Sequence, residues 1–345
     1  MLKEKITVSL GERSYPIYIG CGLLDRANEL LSVKGKALIL TDRGVPREYA
    51  EVVCRSLSGN GRIFTVDVGE GSKSLSTLEA VLTAAAEMKL NRGDAIIAVG
   101  GGVVGDLGGF AAATYMRGIA FYNVPTTVLA MVDSSIGGKT AVNLGGIKNI
   151  VGAFHQPRAV LIDTDTLKTL DERMISAGLC EAVKMAATFD KDGFEAFENA
   201  DGIKDVTDGI DKVISAALLI KKSVVEKDER EAGLRKVLNF GHTVGHGIEA
   251  VAAGELYHGE CVALGMLPFC SESVRKRLLP VLEKLKLPTE FNGDIEGAIE
   301  LATHDKKAVG DKIEAVFVNE IGSYELLRVS AAELSALARA AYGAK

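Results

Sequence analysis

Residues 95–106 read AIIAVGGGVVGD. The apolar run 95–99 has the length of a buried strand, and a helical run follows from 107 to 115. Between them Gly100, Gly102 and Gly105 fit the spacing GxGxxG. A glycine-rich turn from strand to helix lets backbone amides approach a pyrophosphate at the positive end of the helix. Without a ligand, the same turn is a tight strand–helix connection. The usual fingerprint also carries an acid about twenty residues on, to hold a ribose. None stands there. Asp42, ending ALILTD, and Glu70, in VGEGSK, are acids at strand ends that could serve instead.

Outward from this stretch, 36–41 (KALILT), 62–67 (RIFTVD) and 120–124 (AFYNV) are further short apolar runs. Helical spacing fills 47–56 and 74–89 between them. Strand–helix alternation predicts a mostly parallel sheet covered by helices, a Rossmann-like α/β domain over 1–172. The opening MLKEKITVSL alternates apolar and polar residues and reads as one more strand, not as a leader segment. From 173 the character changes. Apolar residues recur at helical intervals over 205–227, 234–251 and 330–341, with one late hairpin, IEAVFV and YELLRV. A mainly α-helical second domain over 173–345 is expected. With no Pro-rich or Ser-rich linker between them, the two domains should enclose a cleft.

Composition narrows the function classes. A chain of 345 residues, 47% hydrophobic and 25% charged, has enough apolar surface to fold throughout. A net charge of −6 offers no general attraction to nucleic acid or anionic membrane, so an anionic ligand needs a local cluster of Lys and Arg. The apolar runs are too short to span a bilayer. Five scattered cysteines without a CxxC pair read as reduced thiols of a cytoplasmic protein. Cys180 and Cys261 read as packing residues.

Two stretches carry candidate chemistry. From Asp133 to Asn149 the chain reads DSSIGGKTAVNLGGIKN, with Lys139 and Lys148 among paired glycines. Such glycines predict a backbone folded closely around a ligand, and lysine is a point charge suited to phosphate or carboxylate. A solvated loop is the plainer reading, against which stand the apolar flanks VLAMV and IVGAF. The second stretch holds His242, His246 and His258, three of only five histidines. His242 and His246 lie four apart on one helix face, and Glu181 and Lys184 lie three apart on another helix. Two His and one Glu with an open position is a ligand set of catalytic zinc sites. Spacing alone would make His242 and His246 the ligand pair.

Taken in order, GGGVVGD, DSSIGGKTAVN, GIKNIVGAF, CEAVKMA, DEREAGLRKVLNFGHTVGHGIE and YHGE give a chain that resembles the 3-dehydroquinate synthases over nearly its full length. That resemblance implies a nucleotide-binding α/β domain, a helical domain and a homodimer. It implies Glu181, His242 and His258 as metal ligands, for Zn2+ or another divalent ion such as Co2+, with His246 free for substrate. Asp133, Lys139, Asn149, Lys184, Lys221, Arg235, Asn239 and His246 would face an anionic small-molecule substrate. Arg117 would reach the neighbouring subunit's site, and Lys306 or Lys307 would add a cation. For NAD the resemblance implies Asp42, Glu70, Lys73, Gly102, Val103, Val104, Gly105, Asp106, Thr126, Thr127, Lys139, Lys148 and Thr169, the last in a loosely matching block. The implied activity is a carbon–oxygen lyase reaction on a heptulosonate phosphate, within aromatic amino acid biosynthesis. A related sugar phosphate cyclase, a metal-dependent polyol dehydrogenase and a non-catalytic nucleotide-binding protein are the other readings.

Overall fold

The computed structural model describes residues 1–304 and 312–342. The chain divides into two compact units, Met1–Leu170 and Asp171–Lys345. No helix among the described residues is long and apolar enough to cross a membrane.

In the first unit the strands are β1 (Leu2–Val8), β2 (Tyr15–Gly20), β3 (Ala37–Asp42), β4 (Gly61–Val66), β5 (Ala95–Gly100), β6 (Ala120–Pro125), β7 (Lys139–Leu144), β8 (Ile147–Phe154) and β9 (Ala159–Asp163). Seven form one sheet in the order β1-β2-β9-β6-β5-β3-β4. Only the β1–β2 pair is antiparallel. Strands β3 and β5 are apolar almost throughout because both faces are covered, as parallel sheets require. On one face Leu38, Leu40, Ile96 and Ala98 pack against α3 (Leu75–Glu87) and α4 (Gly102–Thr114). On the other, Ala37, Ile39, Ile97 and Val99 pack against α1 (Ala27–Leu31) and α2 (Arg47–Ser56).

The strand order sets Asp42 and the glycine-rich turn on neighbouring strands. From β3 the chain crosses to β4 on one side, then returns past β3 to β5 on the other. The order reverses there, and in open α/β sheets ligands bind at the carboxyl ends of the strands at such a switch point. Asp42 ends β3 and the glycine-rich turn follows β5. Asp42 and the turn thus follow adjacent strands, an adjacency that spacing along one βαβ unit could not show.

Strands β2 and β9 were not foreseen, since short runs like YPIYIG carry no clear alternation. The stretch 133–149, expected as a backbone folded around a ligand, holds more regular structure than a loop. It enters the antiparallel hairpin β7–β8, turned at Gly145 and Gly146 with φ of 61° and 81°. That left-handed pair is the conformation a two-residue hairpin turn demands, and glycine adopts it without steric cost.

The second unit is mainly helical: α5 (Glu172–Phe189), α6 (Lys191–Asn199), α7 (Ile203–Asp208), α8 (Ile210–Lys227), α9 (His242–Ala252), α10 (His258–Met266), α11 (Glu272–Lys284), α12 (Ile295–His304) and α13 (Ala331–Tyr342). The expected late hairpin is present as β10 (Ile313–Phe317) and β11 (Glu325–Val329). The helical run foreseen over 234–251 is a 3-10 turn, Leu234–Asn239, followed by α9. Gly241 separates them at φ 78°, where Met266 Cγ would lie 2.7 Å from an added Cβ.

Candidate functional site

The second unit gathers a buried polar cluster. Helix α5 carries Glu181 and Lys184 on adjoining turns, 0% and 2% exposed. Helix α9 carries His242 at its start, and α10 begins at His258. Glycines let these helices meet backbone to backbone. A Cβ on Gly259 would lie 1.8 Å from the Ala177 carbonyl oxygen of α5. One on Gly265 would lie 1.9 Å from the Gly241 oxygen. Gly259 therefore sets α10 against α5 one turn before Glu181, and this brings His258 to the carboxylate. The glycines beside the histidines serve helix packing.

The geometry calls for a cation. Glu181 Oε1 lies 3.8 Å from His242 Nε2 and 3.7 Å from His258 Nε2. Its Oε2 is in ion-pair contact with Lys184 Nζ, while Oε1 accepts no hydrogen bond. The other ring nitrogen of each histidine is engaged. His242 Nδ1 is 3.1 Å from the Phe240 carbonyl, and His258 Nδ1 is 3.1 Å from Glu249 Oε2. Both partners can only accept from a ring N–H, so the proton of each neutral imidazole sits on Nδ1. Each Nε2 then turns a lone pair toward Glu181. Three donor atoms converge on one point, and a divalent ion is what such a donor set fits.

Electrostatics agree. Burial, then the positive charge of Lys184 and the neighbouring His258 and His246, hold the His242 imidazole well below its usual range. Burial pulls His258 the same way, but the Glu249 hydrogen bond and the charges of Glu181 and Glu249 outweigh it and raise its pKa. The two carboxylates favour positive charge at this point. His246 stands beside them, exposed, with its ring centroid 5.1 Å from that of His242. The ligand atoms of His242, His246 and His258 all lie within 4.8 Å of one another. Two triads are therefore geometrically open, and only the one containing Glu181 uses its free carboxylate oxygen.

Glu249 escaped the sequence reading. It lies seven residues after His242, so His242, His246 and Glu249 form one helical stripe. Cys180 and Cys261 are fully buried, and burial raises the Cys180 thiol well above its ordinary range, as packing cysteines should show. In the same unit Lys221 and Arg235 are 5% and 2% exposed. Asp228 holds the loop before Arg235 by accepting the backbone N–H groups of Ala232, Gly233 and Arg235. Those bonds, the Arg235 one foremost, keep its carboxyl below the usual range. Arg235 Nη1 donates to the Glu229 carbonyl, and Asn239 Nδ2 to Glu231 Oε1 at 3.1 Å. Lys306 and Lys307 lie outside the described residues.

In the first unit a second cluster forms beside the sheet's carboxyl ends. Lys73, 4% exposed, donates to Asp106 Oδ2 at 2.7 Å and to Asn149 Oδ1, with Glu70 Oε1 at 3.7 Å. Asn143 ties this together, donating to Glu70 Oε1 and accepting from the Asn149 backbone, each at 2.8 Å. Sequence reading missed Asn143. Asp42 Oδ1 accepts the backbone N–H groups of Gly44 and Val45 and so shapes the turn after β3. Thr126 N–H donates to the Gly100 carbonyl, and Thr127 Oγ1 accepts from Ala130 N–H. In the glycine-rich turn, added Cβ atoms on Gly102 and Gly105 would lie 3.2 Å from Ser134 Oγ and from Asn123 Nδ2. Neither glycine has a positive φ, and the neighbour in each case is a side-chain atom. Thr169 Oγ1 donates to the Thr166 carbonyl. Asp133 is partly buried, and Lys139, Lys148 and Arg117 are exposed.

A 3-dehydroquinate synthase N-terminal family model matches residues 63–177, and a 3-dehydroquinate synthase C-terminal model matches 178–308. A 3-dehydroquinate synthase of Enterococcus faecalis is 42% identical over 96% of this chain and 98% of its own. One of Acetivibrio thermocellus is 42% identical over 90% and 91%. Among solved structures, 2-deoxy-scyllo-inosose synthase complexed with carbaglucose-6-phosphate, NAD+ and Co2+ superposes with a TM-score of 0.89 at 26% identity, over 98% of this chain and all of that one. ValA, a 2-epi-5-epi-valiolone synthase from Streptomyces hygroscopicus with NAD+ and Zn2+ bound, gives 0.85 at 27%, over 95% and 97%. With two family models covering both units and relatives at 42% identity along almost the whole length, the chain belongs to the 3-dehydroquinate synthase family.

Proposed function

We propose that the chain converts 3-deoxy-D-arabino-heptulosonate 7-phosphate to 3-dehydroquinate and phosphate, as a carbon–oxygen lyase with NAD and one divalent ion. The observation that carries this reading is the free oxygen of buried Glu181, faced by two imidazole lone pairs. Glu181, His242 and His258 would hold the ion, zinc or cobalt, with His246 left to contact substrate. When bound, the ion supplies Lewis-acid polarisation of a substrate hydroxyl and NAD a reversible hydride acceptor. Lys184 balances the charge of Glu181. Lys221 and Arg235, both buried, bring positive charge to an anionic substrate, and Arg235 adds a fixed planar fork. Asn239, His246, Asp133, Lys139 and Asn149 complete the proposed substrate contacts. Asp42, Glu70, Lys73, the helix start 102–106, Thr126, Thr127, Lys139, Lys148 and Thr169 would hold NAD. Arg117 would act in a partner copy. Localisation in the cytoplasm accords with the five free cysteines.

A polyol dehydrogenase would draw on the same kinds of groups but release reduced cofactor. With NAD far below substrate, phosphate should form in large excess over added NAD with no NADH accumulating at 340 nm. One NADH per phosphate would overturn the proposal.

Glu249 should act by orienting His258. Glu249→Gln keeps the shape but weakens the acceptor on Nδ1, and losing such a partner of a metal-binding histidine costs about 10–100-fold in metal affinity. Competition with a chelator should read that loss, with folding unchanged by circular dichroism.

A further inference from the structure

Helix α5 meets the start of α10 along three successive turns. Residues 173, 177 and 181 lie four apart, so these positions share one face of α5. Glu181 faces His258, and the Ala177 carbonyl lies against Gly259. The remaining turn carries Arg173, whose guanidinium holds the chain on both sides of His258. Its Nε and Nη2 donate to Glu260 Oε1 and Oε2 at 2.6 and 2.7 Å. Nη2 also donates to the Glu255 carbonyl at 2.7 Å, in the loop that joins α9 to α10. The cation lies 4.7 Å from the centre of the Tyr257 ring. Glu260 is itself 5% exposed, and its Oε2 accepts the Tyr257 N–H at 2.7 Å, closing the first turn of α10 around His258. A bidentate pair of arginine and carboxylate fixes direction as well as distance.

We propose that Arg173 is a positioning residue for the metal site: it sets the angle at which α10 begins, and with it the place of His258 Nε2 opposite Glu181. The inference rests on the ligand set Glu181, His242 and His258 proposed above.

An ion pair between two helices can stabilise a fold and do no more. The same unit holds such a pair for comparison. Arg277 Nε and Nη2 donate to Glu198 Oε1 and Oε2 at 2.7 and 2.6 Å, and the guanidinium lies 5.5 Å from the centre of the Phe194 ring. The chemistry is alike, but this pair joins α11 to α6, and neither helix carries a residue of the cluster. The sign of the effect also separates geometry from charge. Removing a cation near a divalent-ion site favours the ion by Coulomb's law, so a loss of affinity on removing Arg173 comes from displaced ligands.

Zinc affinity, read by competition with a chromogenic chelator, and melting temperature are measured together on the whole chain. Both Arg173→Ala and Arg277→Ala should melt lower. Arg173→Ala should bind zinc about tenfold more weakly or worse, the range for lost supports of metal-binding histidines. Arg277→Ala should bind it as the wild type does. In the cobalt-loaded protein the ligand-field absorption should change in Arg173→Ala and stay unchanged in Arg277→Ala. Arg173→Lys keeps the charge without the planar fork, so its affinity should fall between alanine and wild type. Wild-type zinc affinity in Arg173→Ala overturns the inference and leaves the ligand set standing. An equal loss in Arg277→Ala overturns it as well, because weaker binding then follows from lower stability alone. If Arg173→Ala does not fold, Arg173→Lys decides, and wild-type affinity there overturns the inference. A wild-type chain that binds no zinc strikes the ligand set first and this inference with it.

Discussion

Glu181→Gln should lower bound divalent metal below a tenth of the wild-type content and phosphate release by roughly a thousandfold, equivalent to about 4 kcal/mol of lost transition-state stabilisation. The side chain is fully buried, so no water can stand in for the lost charge. Two effects add. A charged oxygen ligand becomes a neutral amide, and Lys184, 2% exposed, loses the carboxylate that compensates it. Leaving one member of a buried pair typically costs about 3–5 kcal/mol, so the variant should also melt lower. Glu181→Asp retains the charge but withdraws it by one methylene, and should fall between. Elemental analysis of the purified variants decides the matter. Full metal content in Glu181→Gln would transfer the ligand set to His242, His246 and His258, whose ligand atoms also converge.

Gly259→Ala should be nearly as damaging, though it adds only a methyl group. That methyl carbon would sit 1.8 Å from the Ala177 carbonyl oxygen, and backbone cannot rotate out of the way as a side chain can. Helices α5 and α10 must separate. Overpacking of this severity costs about 3 kcal/mol or more, and in a unit of this size that is a fall of roughly 6–12 °C in melting temperature. Because His258 opens α10 directly before Gly259, the separation also withdraws it from Glu181, and metal affinity should drop in parallel. Gly209→Ala is the control. It sits in the same unit, with nothing nearer than the Val206 oxygen at 3.9 Å and φ at −108°, so both readouts should stay near wild type. Equal behaviour of the two variants would show that the close approach at Gly259 does not position the histidine.

Much of this protein can be read from its residues in line. Strand and helix periods are local properties, so the alternation up to about 170, the helical remainder and the late hairpin were all legible. The six motif blocks in order carried the family. The paired carboxylate and lysine of α5 and the histidine spacing of α9 were also local, because residues three or four apart on a helix must share a face. Other features depend on neighbours far along the chain. The hairpin β7–β8 looked like a loop because its glycines mark a turn whose strands are identifiable only once they pair. Asp42 and the glycine-rich turn follow different strands, and the topological switch alone makes β3 and β5 adjacent. Spacing favoured His242 with His246, and tertiary structure alone brings His258 of α10 and Glu181 of α5 to the same point as His242. It does so through glycines whose value lies in backbone contact between helices. Glu249 was invisible for the same reason, since a carboxylate on a helix has no distinguishing mark until a histidine ring nitrogen arrives within hydrogen-bonding distance. Local sequence sets what each segment can become. Only packing, by excluding water and bringing distant acceptors together, decides which of its polar atoms meet at one point.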